Sequence, residues 1–323
     1  MTIENLDNQT SENQVERALL TPNASPMPTY TIRELKNLEL VRTPMDVPLF
    51  TMLTASPDKY ATTGARYFEW LETDLSSNFA GAVGDGYDLS SISEAGGTPS
   101  EKGNYLMAIY QIARVGGMND EFTTVDGDAM LLETKHKYAQ LIRAIEYFLW
   151  NGDHTANANH TNGLVTLITS SISNGGGALV EAVLQTAIVT VIDNGLMPDT
   201  IFCLPIHGQR IASFSQNRIT YQNTVEAEGG VGQRAFYYNT PFGYTCKVQP
   251  VRSVFLPTGS VFVVDSTMMR LRYADKKGEG IIKSRVLPET NDGTAVLLKT
   301  YCGLELAQAD KHVKISGVAS TLT

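Results

Sequence analysis

The sequence lacks several features that would assign it to a class of protein at once. No apolar run approaches 18 residues, so we expect no membrane helix. The three cysteines, Cys203, Cys246 and Cys302, are scattered and odd in number, which is typical of a protein made in reducing cytoplasm. Basic residues are outnumbered 25 to 34, and the net charge of -9 argues against a surface that grips nucleic-acid phosphates. The first residues, MTIENLDNQT, lack the basic and apolar parts of a secretory signal.

Motifs of catalysis and cofactor binding are also missing. No GxSxG, HExxH or paired-cysteine motif occurs. Gly175–Gly177 precedes a predicted helix, but the lysine and the serine or threonine of a phosphate loop do not follow it, so a flexible loop is favoured over a phosphate site. His154 and His160 lie in a polar loop with Asp153 as a third candidate ligand, which is a weak basis for a metal site.

Cys203 and His207 are spaced so that they could pair as a thiol nucleophile and its base. Cys203 falls within an apolar predicted strand, however, where a buried and inert thiol is the default. We therefore expect no catalytic residue, no cofactor and no metal site, and we predict that the chain is not an enzyme.

The clearest secondary-structure signal is a long amphipathic helix over Asp128–Trp150, which we call the spine helix. Its apolar residues recur every three or four positions, as on one face of a helix. Asn151-Gly152 provides a natural stop, and at about 1.5 Å per residue the helix is roughly 35 Å long. The predicted core stripe consists of Tyr138, Leu141, Ile142, Ile145, Phe148 and Leu149. The predicted polar face consists of Glu133, Lys137, Gln140, Arg143 and Glu146.

The sequence as a whole predicts four regions, one of which is made of three separate segments. Residues 1–29 form a polar N-terminal arm with a net charge of -3 and little to bury. Strands Arg66–Leu71 and Asn104–Val115 define a long hairpin within residues 60–115. Residues 159–271 alternate helix and strand and predict a mixed α/β unit. Residues 30–59, 116–158 and 272–323 then form one domain that holds the spine helix and the tail strands, of which the last covers His312–Ile315.

The hairpin has more large apolar residues than a plain linker would carry. About 30 Gly-, Ser- and Asp-rich residues separate its strands, a length that usually indicates function or disorder. The candidates for contact with another subunit are Trp70, Phe79, Tyr87, Leu89, Ile92 and Tyr105. They could instead pack the hairpin against itself. We favour an intersubunit clasp, because a two-stranded ribbon is only marginally stable alone.

The ordered set of local sequences resembles the major capsid proteins of tailed bacteriophages with the Hong Kong 97-type fold. The segments that carry the resemblance are YQIARVGG, the spine end IEYFLWNG, NGLMPDTIFCLP, and the tail VLPETNDGTAVLLKTYCGLELAQADKHVKISGV. The resemblance spans most of residues 30 to 318. The N-terminal arm has no counterpart in it.

The resemblance implies an α+β fold whose parts carry that family's names. Residues 60–115 become the E-loop hairpin, 159–271 the A-domain, and the discontinuous region a P-domain built on the spine helix. It further implies a structural protein that self-assembles through hexamers and pentamers into an icosahedral shell around double-stranded DNA, without sequence-specific binding. Expected partners are copies of itself, separate scaffolding and portal proteins, and in some shells a decoration protein, with no membrane. The expected location is the virion, after synthesis in the host bacterial cytoplasm.

Two other functions stay open from the residues alone. An encapsulin-type nanocompartment resembles these capsids but encloses enzymes. A soluble α/β enzyme would use the Gly175–Gly177 loop or Cys203. The acidic surface fits a container that does not adhere to polyanionic contents.

Overall fold

The computed structural model describes residues 47–73, 99–117, 129–214, 219–223, 234–288 and 293–319. The chain divides into two compact units. The first comprises Met1–Pro44, Ile112–Tyr138 and Arg285–Leu297, and the second comprises Met45–Gln111, Ala139–Ser284 and Leu298–Thr323.

Five α-helices lie in the part of the chain that the structure describes. Proline at the first turn starts two of them, where its missing N–H costs nothing. Gly195, with φ +88°, follows the fourth helix as its stop. The helices are α1 (Pro48–Thr54), α2 (Ala129–Asn151), α3 (Leu164–Leu167), α4 (Glu181–Asp193) and α5 (Pro205–Ala212). None of the helices within the described residues is both long enough and apolar enough to cross a membrane.

A seven-stranded mixed sheet forms the main core of the second unit. Its order is β5-β14-β10-β6-β9-β8-β7. The strands are β5 (Ser171–Ser173), β6 (Thr200–Cys203), β7 (Ile219–Asn223), β8 (Arg234–Asn239), β9 (Thr245–Pro250), β10 (Val261–Val264) and β14 (Val313–Ser316). The last strand of the chain therefore lies in the sheet of the α/β region, where β14 pairs antiparallel with β10, although the sequence grouped it with the spine helix.

Both faces of the central strands β6 and β10 are covered, which explains why these strands are apolar throughout. Helix α4 packs on β10 and β14 and adds Leu184, Ile188 and Val191 to a buried cluster on one face. On the other face the Trp150 ring lies 5.1 Å from the ring of Phe202 and 5.8 Å from that of Phe262. Such double burial predicts near-continuous hydrophobic strands.

A five-stranded sheet has the order β1-β11-β13-β12, with β4 also paired to β13. Its strands are β1 (Tyr60–Thr62), β4 (Met107–Gly116), β11 (Met269–Tyr273), β12 (Ile282–Val286) and β13 (Gly293–Leu306). A separate two-stranded ribbon pairs β2 (Tyr67–Thr73) with β3 (Pro99–Tyr105). The predicted strand Asn104–Val115 is thus split at Leu106 between β3 and β4.

The spine helix α2 is described over Ala129–Asn151 and ends one residue later than predicted, while Asp128, its predicted first residue, lies outside the described residues. Leu141, Ile142, Ile145 and Leu149 are buried, and Phe148 is half-buried. Tyr138 is 44% exposed, so the prediction that it belongs to the core stripe is wrong for the isolated subunit: the buried stretch starts one turn later.

The prediction that Glu146 lies on the polar face of the spine helix is also wrong. Its side chain is fully buried. The carboxylate can be buried because hydrogen-bond donors from another part of the chain, described below, replace the water molecules that would otherwise solvate it.

Candidate assembly surfaces

The β2–β3 ribbon has one face toward its own subunit and one face toward solvent. Phe68 is buried, and Trp70 and Glu72, which alternate with it on the same face, are half-buried. On the opposite face Tyr67 is 41% exposed and Leu71 is 69% exposed. This alternation follows from the two-residue period of a strand. The outward face of the ribbon therefore presents two exposed apolar side chains, those of Tyr67 and Leu71.

Asn104 fastens the base of the ribbon through four hydrogen bonds. Its buried side-chain amide donates to the carbonyl oxygens of Asn162 (2.9 Å) and Leu304 (2.7 Å). Its Oδ1 accepts from the backbone N–H groups of Tyr105 (2.8 Å) and Asn162 (2.9 Å). Every donor and acceptor of the carboxamide is therefore used. The ribbon, the loop before α3 and strand β13 meet at this one side chain.

Gly303 on β13 allows the base of the ribbon to approach the sheet closely. A Cβ atom at this position would lie 2.6 Å from the carbonyl oxygen of Tyr105 and 2.9 Å from the Phe68 ring. Any larger residue would push the ribbon away from the sheet. The glycine is required by this close approach.

Aromatic stacking adds to the same junction. The Tyr105 ring lies parallel to the His154 ring, with centroids 3.6 Å apart and an interplanar angle of 9°. His154 is held in turn by its backbone N–H, which donates to Asn162 Oδ1 at 2.9 Å. His154 Nδ1 also lies 3.0 Å from the carbonyl oxygen of His160. Both histidines thus serve the loop that supports the ribbon.

Glu72 connects the inner face of the ribbon to the turn after β13. Its Oε1 accepts from the backbone N–H of Gln308 at 2.6 Å and from Trp70 Nε1 at 2.7 Å. Gln308 has φ 52°, a left-handed conformation that is uncommon for a residue other than glycine. The carboxylate therefore stabilises a turn that the backbone alone would disfavour.

Two of the six predicted contact residues lie in the described part of the chain, and both contact their own subunit. Trp70 bonds Glu72, and Tyr105 stacks on His154. Phe79, Tyr87, Leu89 and Ile92 lie outside the described residues. The sequence reasoning did not find Asn104, Gly303 or Glu72. Of these three residues, only Asn104 had a signal in the sequence, because it is a polar residue at the start of an otherwise apolar predicted strand.

A groove lies beside the base of the ribbon, with a volume of about 710 Å³. It is lined by the residues just before β2, by residues of β4 and β13, and by Leu106, Asn159 and Ala274. Tyr110 and Tyr301 stand at one side, with their phenol oxygens hydrogen-bonded at 3.2 Å. That hydrogen bond and, to a smaller extent, desolvation raise the pKa of Tyr110.

The residues considered for catalysis have structural environments. Burial raises the pKa of the Cys203 thiol to about 12, and burial lowers the pKa of His207. Gly175 and Gly176 donate their N–H groups to Ser173 Oγ (3.2 Å) and to the carbonyl oxygen of Gly317 (2.8 Å), so these groups are engaged within the protein. No group of three metal-ligating side chains occurs within the described ranges.

Three comparisons place the chain among known proteins. No curated protein sequence matches it significantly. A family model described as SU10 major capsid protein matches residues 16–319. Among solved structures, the chain is similar to the capsid of cyanophage A-1(L), with a TM-score of 0.59, 12% identity, and coverage of 91% of this chain and 99% of that chain.

Two further solved structures match at similar levels. The SrpI encapsulin of Synechococcus elongatus PCC 7942 has a TM-score of 0.58 and 13% identity, covering 83% of this chain and 90% of that chain. A chain from Mycobacterium phage Adephagia has a TM-score of 0.55 and 13% identity, covering 84% and 91%.

Proposed function

Because the chain belongs to the SU10 major capsid protein family, we propose that its subunits assemble as hexamers and pentamers into an icosahedral head shell that encloses double-stranded DNA. The protein is a structural component of a phage head shell, and its architecture is the Hong Kong 97-type capsid fold, as the sequence predicted. What we propose beyond this is the assembly of the subunits into hexamers and pentamers and the enclosure of DNA by the shell.

The observation that carries the proposal is the ribbon with a fixed base and an exposed outer face. Asn104, Gly303 and the Tyr105–His154 stack hold the base on β13, while Leu71 and Tyr67 face solvent in the isolated subunit. A ribbon anchored in this way can lie over a neighbouring copy. Contacts of this kind between identical copies close into rings and shells when the rotation between them closes.

The proposal divides the chain as the sequence suggested. Residues 1–29 are the N-terminal arm and residues 60–115 the E-loop hairpin. The P-domain comprises 30–59, 116–158 and 272–323, and the A-domain comprises 159–271. The last strand of the P-domain segment, β14, pairs within the sheet of the A-domain. Trp70, Phe79, Tyr87, Leu89, Ile92 and Tyr105 are its proposed contact residues.

The net charge of -9 supports a wall that does not adhere to the DNA it encloses. Sequence-specific contacts to DNA have no role in this proposal. A separate scaffolding protein and a portal complete the assembly. The finished shell is part of the virion, and its subunits are made in the host bacterial cytoplasm.

The likeness to the SrpI encapsulin gives the second candidate function, a nanocompartment that encloses protein cargo. The family match favours the head shell, because it is a match to capsid proteins over most of the chain. The contents of purified particles separate the two, since DNA supports the head shell and protein cargo supports the compartment.

Electron microscopy of the full chain, expressed alone and with candidate scaffolding proteins, tests the proposal. Closed shells, or rings of five and six subunits, are expected. Deleting residues 77–97 should leave a folded subunit, measured by circular dichroism, that does not close shells. A stable monomer with a ligand-dependent melting temperature would instead support a soluble enzyme and contradict the head shell.

A further inference from the structure

Four asparagines in the chain are followed directly by glycine, and all four pairs lie within residues 151–195. They are Asn151-Gly152, Asn162-Gly163, Asn174-Gly175 and Asn194-Gly195. Glycine has no side chain to hinder the approach of its backbone nitrogen to the preceding carboxamide, and it allows the backbone conformations that this approach needs. Each pair is therefore a candidate site at which the protein modifies itself.

The reaction is the deamidation of asparagine through a cyclic imide. The backbone nitrogen of the glycine gives up its proton to solvent base and attacks Cγ of the asparagine, so that an N–Cγ bond forms. The Cγ–Nδ2 bond then breaks, and Nδ2 takes a proton from water and leaves as ammonia. Water opens the ring at either carbonyl and leaves aspartate or isoaspartate, each with a new negative charge. The reaction therefore needs a glycine N–H released from its hydrogen bond and a carboxamide that can turn toward it.

The first two pairs are enclosed by the protein, and their glycines are buried. The Gly163 N–H donates to the carbonyl oxygen of Gly152 at 2.8 Å, and the Gly152 N–H donates to that of Phe148 at 2.9 Å. A Cβ atom added to Gly152 would lie 2.3 Å from the carbonyl oxygen of Thr161, and one added to Gly163 would lie 2.6 Å from that of Trp150. Both nitrogens are thus held by backbone carbonyls in a closely packed region.

The carboxamides of these two pairs are also held. Asn151 Nδ2 donates to the carbonyl oxygen of Phe255 at 2.5 Å. Asn162 Oδ1 accepts from the backbone N–H of His154 at 2.9 Å. Neither side chain can turn toward its glycine without losing that hydrogen bond. Release of both reacting groups therefore requires a large part of the surrounding structure to open.

The other two pairs flank helix α4, and their glycines are exposed. A Cβ atom added to Gly175 or to Gly195 meets nothing within 4 Å among the described residues. The Gly175 N–H donates at 3.2 Å to Ser173 Oγ, a hydroxyl that can rotate away. The Gly195 N–H donates to the carbonyl oxygen of Ile192 at 2.8 Å, at a helix end, where helices fray. A local opening releases either nitrogen while the rest of the subunit stays folded.

We propose that Asn174 and Asn194 are the sites at which the folded subunit deamidates, and that the fold protects Asn151 and Asn162. The contrast between two enclosed and two open glycines carries this inference. It goes beyond the proposed head-shell function and does not depend on it.

Deamidation at these sites would loosen both ends of α4. Asn174 Nδ2 donates to the carbonyl oxygens of Gly177 (2.7 Å) and Ala178 (3.1 Å). Asn194 Nδ2 donates to the carbonyl oxygen of Lys311 at 3.3 Å. An ionised carboxylate only accepts hydrogen bonds, so it would face these oxygens without a proton to share. At the C-terminal end of α4 the new negative charge is also opposed by the helix dipole.

Site-resolved mass spectrometry of the full chain tests the assignment. Folded subunits and subunits in guanidinium chloride are incubated side by side at mildly alkaline pH, digested with chymotrypsin and analysed by tandem mass spectrometry. In denaturant all four asparagines should deamidate at similar rates. In the folded protein Asn174 and Asn194 should deamidate at least about tenfold faster than Asn151 and Asn162. Equal rates at the four sites of the folded protein, or earlier change at Asn151 or Asn162, would overturn the proposal.

Two serine variants test how the Gly175 nitrogen is held. Ser173→Ala removes the acceptor of its N–H and should raise the deamidation rate of Asn174 about fivefold, the effect of losing one hydrogen bond, with the other three sites unchanged. The matched control is Ser171→Ala on the same strand, whose hydroxyl contacts Ser316 Oγ at 3.0 Å, and it should deamidate as the wild type does. An unchanged rate at Asn174 in Ser173→Ala would overturn the assignment of this site to local opening of the loop.

Discussion

The indole N–H of Trp150 donates a hydrogen bond to Glu146 one helical turn earlier, at 2.7 Å. The same carboxylate accepts from the backbone N–H groups of Leu49 (3.0 Å) and Phe50 (2.7 Å) at the start of helix α1. These N–H groups have no partner within their own helix. Glu146 therefore caps a helix that lies almost a hundred residues away in the sequence, and this contact attaches α1 to the spine helix.

Replacing Glu146 should destabilise the subunit strongly. Glu146→Leu leaves two backbone donors and one indole donor buried without partners, so we expect a loss of about 3–5 kcal/mol in the free energy of unfolding. Chemical denaturation of unassembled subunits measures it. The control is Glu133→Gln, which removes the half-exposed pair of Glu133 with Lys137 (3.5 Å) and should cost no more than about 0.5 kcal/mol. Equal effects of the two variants would show that the buried carboxylate is not a structural cap.

The buried stripe of the spine helix gives a second prediction. Ile145 is fully buried, so Ile145→Asp places an unpaired charge in the core and should cost several kcal/mol, about 4 or more. Leu131→Asp, at a position that is 54% exposed on the same helix, should change the stability by less than about 1 kcal/mol. Thermal unfolding of the two variants compares them directly. An Ile145→Asp subunit as soluble and stable as the wild type would contradict the assignment of the stripe.

Much of this arrangement was visible in the sequence, because a helix period is a local signal. The stripe over Leu141–Leu149 and the strands around Tyr67 and Val261 follow from periodicity alone. Glu146 was misplaced because its partners, Leu49 and Phe50, are remote in sequence and no local pattern reports them. Strand β3 begins at Pro99 in a stretch of low strand propensity, where pairing with β2 overrides the local preference.

The site at the base of the ribbon could not be predicted for the same reason. Asn104 bonds Leu304 across 200 residues of sequence. Gly303 gives no local signal either, since it lies within an ordinary strand and its role appears only when Phe68 and the Tyr105 carbonyl lie on it. Such contacts between distant segments decide where the ribbon sits.

Gly303→Ala should loosen the ribbon. The added methyl group would overlap the Tyr105 carbonyl, and overpacking of this kind costs about 1–3 kcal/mol. Limited trypsin digestion at Lys102, in β3, should become faster as the ribbon leaves the sheet. Gly177→Ala, where an added Cβ meets nothing within 4 Å, is the matched control and should be digested at the wild-type rate. An unchanged rate for Gly303→Ala would show that the ribbon does not depend on this contact.

The three thiols should be unreactive in the folded subunit. Burial raises the pKa of Cys203, Cys246 and Cys302 to about 12 each, so the thiolate that reacts with disulfide reagents is almost absent at neutral pH. Ellman's reagent should detect all three thiols in guanidinium chloride and essentially none before unfolding. Rapid labelling of Cys203 in the native protein would argue for an accessible nucleophile.

Two buried histidines predict that acid weakens the subunit. Desolvation lowers the pKa of His207 and, as its largest cause, the pKa of His312. The unfolded state then binds more protons as the pH falls below about 6.5, so the stabilising contribution of the neutral imidazoles is complete above that pH and is lost below it. The urea concentration at the unfolding midpoint should decrease as the pH is lowered from 7.5 to 5. The decrease should be smaller in the double variant His207→Asn, His312→Asn. The control variant His136→Asn should show the same decrease as the wild type. Identical slopes in all three proteins would contradict this origin.

The most direct test of the central claim is a cryo-electron microscopy reconstruction of assembled particles from the full chain. The account predicts a closed shell of hexamers and pentamers in which the base of each ribbon rests on its own Gly303 and its far end lies on the adjacent subunit. A closed shell in which each ribbon folds back onto its own subunit, or particles with no ring of subunits at all, would contradict it.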